Sequence, residues 1–307
     1  MLTNKYNLPE PMYRALCNDS YKPKGDITVT SLIGPVRIRQ LRKRHRDEIV
    51  EDCSSRVFSL LGQAVHSVLE RATGDQTLTE ERLGIKLNGW ELTGQTDVYE
   101  HNVNGIDGVL SDYKITSAYA FLLGEKDEWT AQLNLNAMLY RHAGFPVGRV
   151  QIVAILRDWS KGKAMSPDYP QNQILVKPIP LWPQGKCIDF ASLRILEHKA
   201  AEELEDDELP VCTPAERWYS GEKWAVKKVE NKKADRLFDV EAEARHYLGV
   251  KQAEENTKKK PRQLEVVHRP GVNRRCVDFC DVREFCSFYK NIVATSMPET
   301  EDGEELS

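Results

Sequence analysis

Two Asn–Gly dipeptides in the first half of the chain constrain its fold more than any other feature. Asn88 with Gly89, and Asn104 with Gly105, each lie between short segments that have strand character. Asn–Gly is a preferred two-residue loop of a β-hairpin, because both loop positions need a positive φ. The two dipeptides therefore predict two consecutive hairpins, 84–87 with 90–93 and 94–102 with 106–115.

The loop of the second hairpin also determines which of its residues face each other. With a two-residue loop, Asp97 stands directly opposite Asp112, and the two side chains share one face of the sheet. Lys114, two residues beyond Asp112, lies on the same face. A slip of one residue would turn these side chains to the other face and make Asp107 the competing carboxylate.

Two carboxylates that face each other in a sheet repel, so their charge must be offset. A divalent cation such as Mg²⁺ does this, because hard cations prefer carboxylate oxygen, and we expect the site to need a cation even at rest. The neighbouring lysine then holds or activates a water. This layout is typical of metal-assisted phosphodiester hydrolysis. An exposed hairpin with two ordinary surface aspartates and a lysine is the alternative interpretation.

Helical periodicity flanks the hairpins on both sides. Apolar residues recur at helix spacing from about 37 to 72, and a helix is predicted again over 125–142. His66 lies on the first helix among apolar neighbours, where simple packing is the alternative to a ligand role. Gln132 begins a polar stripe on the second helix, and a half-exposed boundary helix explains that stripe equally well.

The rest of the pattern predicts an α/β fold around a central mixed β-sheet flanked by helices. A continuous apolar run over 150–156 predicts a buried strand, 174–181 predicts another strand, and 187–204 predicts a helix. The predicted segments are an irregular 1–26, a core of 27–204, a charged basic and aromatic insertion of 205–260, a cysteine segment of 261–290 that packs on the core, and an acidic disordered tail of 291–307.

The composition is that of a folded, soluble protein. Of the 307 residues, 40% are hydrophobic and 29% are charged. No run of about 18 apolar residues occurs, so we expect no membrane span. The first residues lack the pattern of a signal peptide, which predicts a cytoplasmic location. The net charge of −4 does not exclude a nucleic-acid partner, because the local distribution of charge matters more than its sum.

Basic runs supply candidate phosphate contacts. They lie at 37–46, 227–233, 258–262 and 274–276. Each run alone is more typical of a solvated face. The candidate substrate-binding residues are Tyr140, Arg42, Lys43 and Lys227.

Aromatic residues stand among lysines in the segment 216–238. Trp218, Tyr219 and Trp224 are interleaved with Lys223 and other lysines. Such a mixture can stack bases and hold phosphates. A small β-rich packing element with basic edges explains the same pattern.

The order of the motifs resembles the PD-(D/E)xK nuclease superfamily, in particular its RecB-like exonuclease branch. The family pattern is a helix with G-x-x-x-H, a strand ending in G-x-x-D, a strand with (D/E)-x-K and a helix with Q-x-x-x-Y. Here the motifs lie at 62–66, 94–97 and 112–114, and from Gln132 onward, so that the match spans about half of the chain. The resemblance implies a restriction-endonuclease-like core with a C-terminal cysteine-bearing extension, similar to the iron–sulfur nucleases of CRISPR adaptation.

The resemblance also implies a role for each site residue. The ligands of a Mg²⁺ or Mn²⁺ ion would be His66, Asp97, Asp112 and the backbone carbonyl of Tyr113. Lys114 would orient the attacking water, and Gln132 would help hold the substrate or the lysine. Asn136 stands where the family has a tyrosine four residues after the glutamine, and Tyr140, one turn later, is the candidate substitute.

Three cysteines lie close together near the end of the chain: Cys276, Cys280 and Cys286. Soft thiolates at this spacing suit an iron–sulfur cluster or zinc, and three buried apolar side chains are the alternative. The iron–sulfur relatives take a fourth cysteine from far upstream, where Gly34 stands here. Cys17 or Cys53 would replace it, or His268 in a zinc site. A 4Fe–4S cluster is the favoured occupant, followed by no metal and then zinc.

The sequence thus predicts a Mg²⁺- or Mn²⁺-dependent DNA exonuclease of recombination, repair or phage DNA processing. Its expected partners are single- or double-stranded DNA ends and a recombinase, annealing protein or helicase on another chain, because no G-x-x-x-x-G-K-[ST] motif is present. The alternatives are a non-catalytic nucleic-acid-binding module that retains the nuclease fold, and a structural protein stapled by a metal at its cysteines.

Overall fold

The computed structural model of the chain describes residues 1–18, 24–72, 74, 77–79, 81–122 and 127–296. It divides the chain into two units, Met1–Pro210 and Val211–Ser307, each of which contains helices and strands. The predicted α/β class is therefore confirmed, and the predicted end of the core at residue 204 lies close to the observed boundary. Within the described stretches, no helix combines the length and apolar character that crossing a membrane requires.

The N-terminal unit carries most of the regular structure. Its helices are α1 (Glu10–Cys17), α2 (Val29–Ile33), α3 (Val36–Arg44), α4 (Val57–Glu70), α5 (Ala118–Leu122), α6 (Asp127–His142) and α7 (Gln184–Ala200). Its strands are β1 (Leu2–Thr3), β2 (Ile27–Thr28), β3 (Glu51–Asp52), β4 (Thr77–Thr79), β5 (Arg82–Leu87), β6 (Trp90–Gln95), β7 (Val98–Glu100), β8 (Val109–Thr116), β9 (Arg149–Leu156) and β10 (Ile174–Ile179).

A five-stranded mixed sheet with the order β10-β9-β8-β7-β4 forms the centre of this unit. Strands β8 and β9 are parallel, whereas the other neighbours in the sheet are antiparallel. A second sheet has the order β2-β6-β5, and β1 pairs with β3. The central mixed sheet predicted from the sequence is thus present, and β8 lies in its interior with a neighbour on each side.

Both Asn–Gly loops form as the sequence predicts. The φ angles are positive at Asn88 (48°), Gly89 (76°), Asn104 (51°) and Gly105 (78°). In the second hairpin, Val98 pairs with Ser111 and Val103 bridges Ile106, which is the register predicted from a two-residue loop. One step further along, the same register would put Asp97 opposite Asp112, but the β7–β8 pairing begins at Val98.

The strand predicted over 94–102 is interrupted at Thr96 and Asp97. Its first part belongs to β6 in the three-stranded sheet, and its second part is β7 in the five-stranded sheet. A strand that pairs in two different sheets has to leave the first ladder before it enters the second. Asp97 therefore lies at the crossing between the sheets, outside both ladders.

Helix α6 is buried on nearly all sides, because one face packs on the five-stranded sheet and another on α2 and α7. Leu133 and Tyr140 belong to the core cluster of the five-stranded sheet, whereas Leu135 and Leu139 belong to the cluster around Leu92. A helix that is covered in this way is expected to be apolar around its circumference. The interpretation of α6 as a half-exposed boundary helix is therefore wrong.

Two expectations for the first 72 residues are also wrong. The segment 1–26 is not irregular throughout, because it contains α1. The helix predicted over 37–72 is two helices, since α3 ends at Arg44 and α4 begins at Val57. Between these two helices, the carboxylate of Asp52 accepts hydrogen bonds from the backbone N–H groups of Ser54 (3.1 Å) and Lys5 (2.8 Å). These bonds stabilise a turn, and the turn interrupts the helix.

The C-terminal unit contains β11 (Lys223–Lys228), β12 (Arg236–Phe238), α8 (Glu241–Asn256), β13 (Leu264–Arg269) and α9 (Ser287–Ser296). The strands form an antiparallel sheet of the order β12-β11-β13, in which Trp224 packs on the ring of His268. This is the β-rich packing element held as one alternative. The prediction that 205–260 is a less regular insertion is therefore wrong.

The predicted tail 291–307 is helical up to Ser296, and the remainder lies outside the described residues. The packing of the segment 261–290 on the core stays a prediction.

His198 on α7 is a fully buried histidine. Its Nε2 donates a hydrogen bond to the backbone oxygen of Leu32 at 3.1 Å, and its Nδ1 has no hydrogen-bond partner among the described residues. Burial lowers the pKa of His198 to about 4, while the hydrogen bond to Leu32 opposes this shift. The folded protein therefore keeps this side chain neutral.

This histidine should make the stability of the protein depend on pH. Its contribution is complete above the ordinary pKa of 6.5 and is lost as the pH falls towards about 4, because the unfolded chain then binds a proton that the folded chain does not. We expect the group to lower the free energy of unfolding by up to about 3 kcal/mol over this range. Urea unfolding at several pH values should show a smaller pH dependence for His198→Gln than for the wild type. His142→Gln, at an exposed position, is the matched control; equal slopes in all three proteins would contradict the prediction.

Candidate active site

Elements from both sheets and two helices bring the predicted site residues together in the N-terminal unit. Asp112 and Lys114 lie on β8, and Asp97 lies at the crossing between β6 and β7. His66 is on α4, and Gln132 is on α6. His66 pairs with Asp97, and Gln132 contacts both Asp112 and Lys114. The backbone N–H of Tyr113, which lies between Asp112 and Lys114, connects Asp97 to β8.

Asp112 is a buried carboxylate, 4% exposed, in the interior of the central sheet. Burial raises its pKa to about 6; the charge of Asp97 adds to this effect and that of Lys114 opposes it. Its Oδ1 accepts a hydrogen bond from Nε2 of Gln132 at 3.2 Å. Its Oδ2 lies 2.7 Å from Nζ of Lys114, and this ion pair offsets the charge of the buried carboxylate. A buried carboxylate needs such a partner, because an unpaired buried charge is costly.

Gln132 connects the carboxylate to the lysine. While its amide nitrogen donates to Asp112, its Oε1 accepts a hydrogen bond from Nζ of Lys114 at 3.2 Å. Both polar ends of the amide are therefore used within the site. The hydrogen bond to Gln132 fixes the position of the Lys114 ammonium group, which lies on the same face of the sheet as Asp112.

Asp97 is held from two sides. Its Oδ2 accepts a hydrogen bond of 2.6 Å from the backbone N–H of Tyr113, and its Oδ1 lies 3.2 Å from Nδ1 of His66. The hydrogen bond to Asp97 raises the pKa of His66, which favours the imidazolium form. The ring of Tyr113 packs edge-on against the ring of His66, with 6.3 Å between the centroids.

A basic side chain lies beside each of the two carboxylates. Lys114 pairs with Asp112, and His66 pairs with Asp97. The expectation that the site needs a metal cation even at rest stays a prediction. In the part of the chain that the structure describes, no three His, Cys, Asp or Glu side chains are arranged so that they could hold a metal ion.

A pocket of about 200 Å³ lies beside Asp97, and its lining includes His66, Arg82, Gln95 and Asn136. Arg82 donates a hydrogen bond of 2.7 Å from Nη2 to Oε1 of Gln95. Sequence reasoning missed Arg82, although the register of the first hairpin pairs it with Gln95, two residues before Asp97. The lining of the pocket thus combines a guanidinium group with the carboxylate of Asp97.

The side chains of Asn136 and Tyr140 are buried in the core of the N-terminal unit. Asn136 is 2% exposed and donates a hydrogen bond of 3.2 Å to the backbone oxygen of Gln95. Tyr140 is 1% exposed and packs against Tyr99 and Phe145. The prediction of Tyr140 as a substrate contact is therefore wrong, because its face of α6 is covered by the central sheet.

The basic run 37–46 is partly used for internal contacts. The guanidinium group of Arg37 is buried and donates to the backbone oxygens of Leu209 and Pro210. Arg44 donates to backbone oxygens just after α7, and Lys43 pairs with Glu202 at 3.0 Å.

Arg42, another predicted substrate contact, is exposed. In the C-terminal unit, Lys227 pairs with Glu265 at 2.7 Å. A substrate role for Arg42, Lys43 and Lys227 stays a prediction.

Six of the seven cysteines fall into two groups, Cys187 packs in the core of the N-terminal unit, and no disulfide joins any of the seven. In the N-terminal unit, Cys53 is buried, which raises the pKa of its thiol, and the charge of Cys17 adds to this effect. In the C-terminal unit, the three cysteines of the predicted cluster lie in and beside two short helical turns, Arg275–Phe279 and Arg283–Phe285. His268 is paired with Glu222 at 3.2 Å.

No family model matches the chain, and no curated protein matches it. Among solved structures, one described as "Crystal structure of SSO0001" is similar to it. The two chains are 18% identical, with a TM-score of 0.41 over 60% of this chain and 83% of the other.

Proposed function

We propose that the chain is a metal-dependent DNA nuclease with a restriction-endonuclease-like core, and that Asp97, Asp112 and Lys114 form its active centre. The observation that carries this proposal is the state of Asp112. Its carboxylate is buried, has a pKa raised to about 6, and is flanked by a lysine and a second carboxylate. Buried acidic groups with a raised pKa beside such partners are typical of functional sites.

The donor set fits a hard or borderline divalent cation. Asp97 and Asp112 would supply carboxylate oxygens, and His66 an imidazole nitrogen, with the backbone carbonyl of Tyr113 as a further ligand. Carboxylate, carbonyl and imidazole together suit Mg²⁺ or Mn²⁺. Such an ion, when bound, polarises a phosphoryl oxygen and lowers the pKa of a water. Asp97 and Asp112, which would hold such an ion, now pair with His66 and Lys114.

Lys114 acts on the water and the phosphate. Its Nζ lies 2.7 Å from Asp112 and 3.2 Å from Gln132, so the ammonium group is held at a fixed point of the site. From there it orients the attacking water and stabilises the negative charge that develops on the phosphate. Arg82, in the adjoining pocket, is our candidate for the contact with a neighbouring phosphate.

We propose DNA ends as the substrate, in recombination, repair or phage DNA processing, with any recombinase, annealing protein or helicase on another chain. The test uses the full chain with end-labelled single- and double-stranded linear DNA and with a covalently closed circle. We expect nucleotides to be released from linear DNA with Mg²⁺ or Mn²⁺, none to be released with a chelator, and the circle to stay intact. DNA binding without cleavage under either metal would favour the non-catalytic module.

Gln132→Met should weaken cleavage without removing it. The substitution keeps the length of the side chain but removes both the donor to Asp112 and the acceptor for Lys114. Positioning contacts of this kind are worth about 10- to 100-fold, so we expect single-turnover rates to fall by that amount. The conservative variant Gln132→Glu keeps the acceptor for Lys114 and should recover part of the loss. Rates equal to wild type in Gln132→Met would contradict the positioning role.

A further inference from the structure

The segment that carries the three clustered cysteines folds into consecutive tight turns within the C-terminal unit. The backbone N–H of Val277 donates to the oxygen of Asn273 at 3.2 Å, and that of Cys286 donates to the oxygen of Arg283 at 3.1 Å. Cys276 lies in the first turn, and Cys280 directly follows it. These turns keep the three thiols within one short stretch of folded backbone.

A fourth cysteine, Cys212, belongs to a segment that is hydrogen-bonded to this stretch. Just after Cys212, a turn is closed by hydrogen bonds from the backbone N–H of Thr213 to Glu216 (2.7 Å) and from that of Glu216 to Oγ1 of Thr213 (3.2 Å). The turn is attached to the cysteine segment by Arg275, whose backbone N–H donates to the oxygen of Arg217 at 3.1 Å and whose Nη1 donates to the oxygen of Glu216 at 3.2 Å.

The charges around Cys212 agree with this placement. Burial raises the pKa of the Cys212 thiol to about 12, and Glu216 and the other three thiols of the cluster each add to the shift. Burial also raises the pKa of Cys276 and of Cys280, and in both cases Cys286 adds to the shift. The hydrogen bonds from Arg275 to the oxygens of Arg217 and Glu216 bring the two segments together.

We propose that Cys212 is the fourth ligand of a four-thiolate metal site, completed by Cys276, Cys280 and Cys286 inside the C-terminal unit. Four thiolates suit a 4Fe–4S cluster or a structural zinc ion, because both are soft enough to prefer sulfur. Binding releases the thiol protons, and the cation offsets the repulsion among the sulfurs. Ligation requires rotation of the side chains from the arrangement described above.

This site differs from the one that the sequence suggested. Cys17 and Cys53 were the candidate fourth ligands, but both belong to the N-terminal unit, where they lie near each other. His268, the candidate for zinc, is paired with Glu222. With Cys212 as the fourth ligand, the site does not need a cysteine at position 34, where Gly34 stands. All four ligands then belong to the C-terminal unit. The inference does not depend on the nuclease proposal.

The test compares the metal content of the anaerobically purified full chain with that of Cys212→Ser and Cys17→Ser. After reconstitution with either Zn²⁺ alone or ferrous iron and sulfide, the wild type and Cys17→Ser should hold metal, whereas Cys212→Ser should bind it at least about tenfold more weakly. Iron with sulfide and visible absorption identifies a cluster, and one zinc per chain without absorption identifies zinc. Absence of metal from the reconstituted wild type, or equal affinity of the two variants, would overturn the proposal.

A measurement on the wild type alone covers the case in which Cys212→Ser does not fold. Alkylation of the metal-loaded and metal-stripped chain, read by mass spectrometry, reports which thiols the metal protects. We expect Cys212 to be protected together with the three clustered cysteines, and Cys17 to react equally in both states. Equal reactivity of Cys212 with and without metal would refute its role as a ligand.

Discussion

Lys114→Met should lower the rate of metal-dependent DNA cleavage by about a hundredfold to a thousandfold. Methionine keeps the apolar stem of the side chain but removes the ammonium group that faces Asp112 and Gln132. The fold should persist, because loss of Lys114 raises the pKa of Asp112 further, and the buried carboxyl then protonates instead of remaining as an unpaired charge. Single-turnover cleavage of end-labelled DNA measures the effect.

Two controls make this result specific. Lys161→Met removes a lysine from an exposed loop position of the same unit and should leave the rate unchanged. DNA binding by Lys114→Met, measured with Ca²⁺ in place of Mg²⁺, should stay within about threefold of the wild type, since the lysine acts on the reaction more than on the ground state. A variant that cleaves as fast as Lys161→Met would remove Lys114 from the mechanism.

Gly94→Ala should lower the free energy of unfolding by about 3 kcal/mol. A Cβ at this position would lie 2.2 Å from Oδ1 of Asn136, 2.6 Å from Cδ1 of Leu139 and 2.9 Å from Cγ2 of Val29. All three neighbours are buried, so they cannot simply move aside. The glycine of the G-x-x-D motif is thus required because β6 and α6 approach closely just before Asp97.

Gly62→Ala is the matched control, and its expected effect has the opposite sign. Gly62 lies within α4, and a Cβ there would meet no atom within 4 Å. Alanine in a helix should therefore stabilise the protein by up to about 1 kcal/mol. Urea unfolding of the two variants and the wild type measures both effects. Equal stability of Gly94→Ala and Gly62→Ala would show that β6 and α6 do not approach as closely as the structure has them.

The sequence predicted the parts of the site that local chemistry determines. The Asn–Gly loops set the hairpin register, and the two-residue period of a strand then put Lys114 on the face of Asp112. His66 and Gln132 were placed on helices by periodicity, and their contacts with Asp97 and with Lys114 follow from the packing of α4 and α6 against the sheets.

The sequence could not predict features that depend on distant contacts. The break at Asp97 exists because two sheets meet there, and the burial of Tyr140 because α6 is covered on two faces. Cys212 is separated from the other clustered cysteines by a whole three-stranded sheet, so spacing along the chain gave no signal for it. Arg82 was predictable only in part. The register of the first hairpin determines its partner, Gln95, but it does not show that a pocket lies beside the pair.

The most direct test of the nuclease proposal compares Asp112→Asn with Asp107→Asn on linear DNA in Mn²⁺. Both substitutions remove one carboxylate from the same hairpin, but Asp112 is buried in the site, whereas Asp107 is exposed near the loop. We predict that Asp107→Asn cleaves at the wild-type rate and that Asp112→Asn cleaves at least about a thousandfold more slowly. Cleavage by Asp112→Asn at the rate of Asp107→Asn would contradict the assignment of this site.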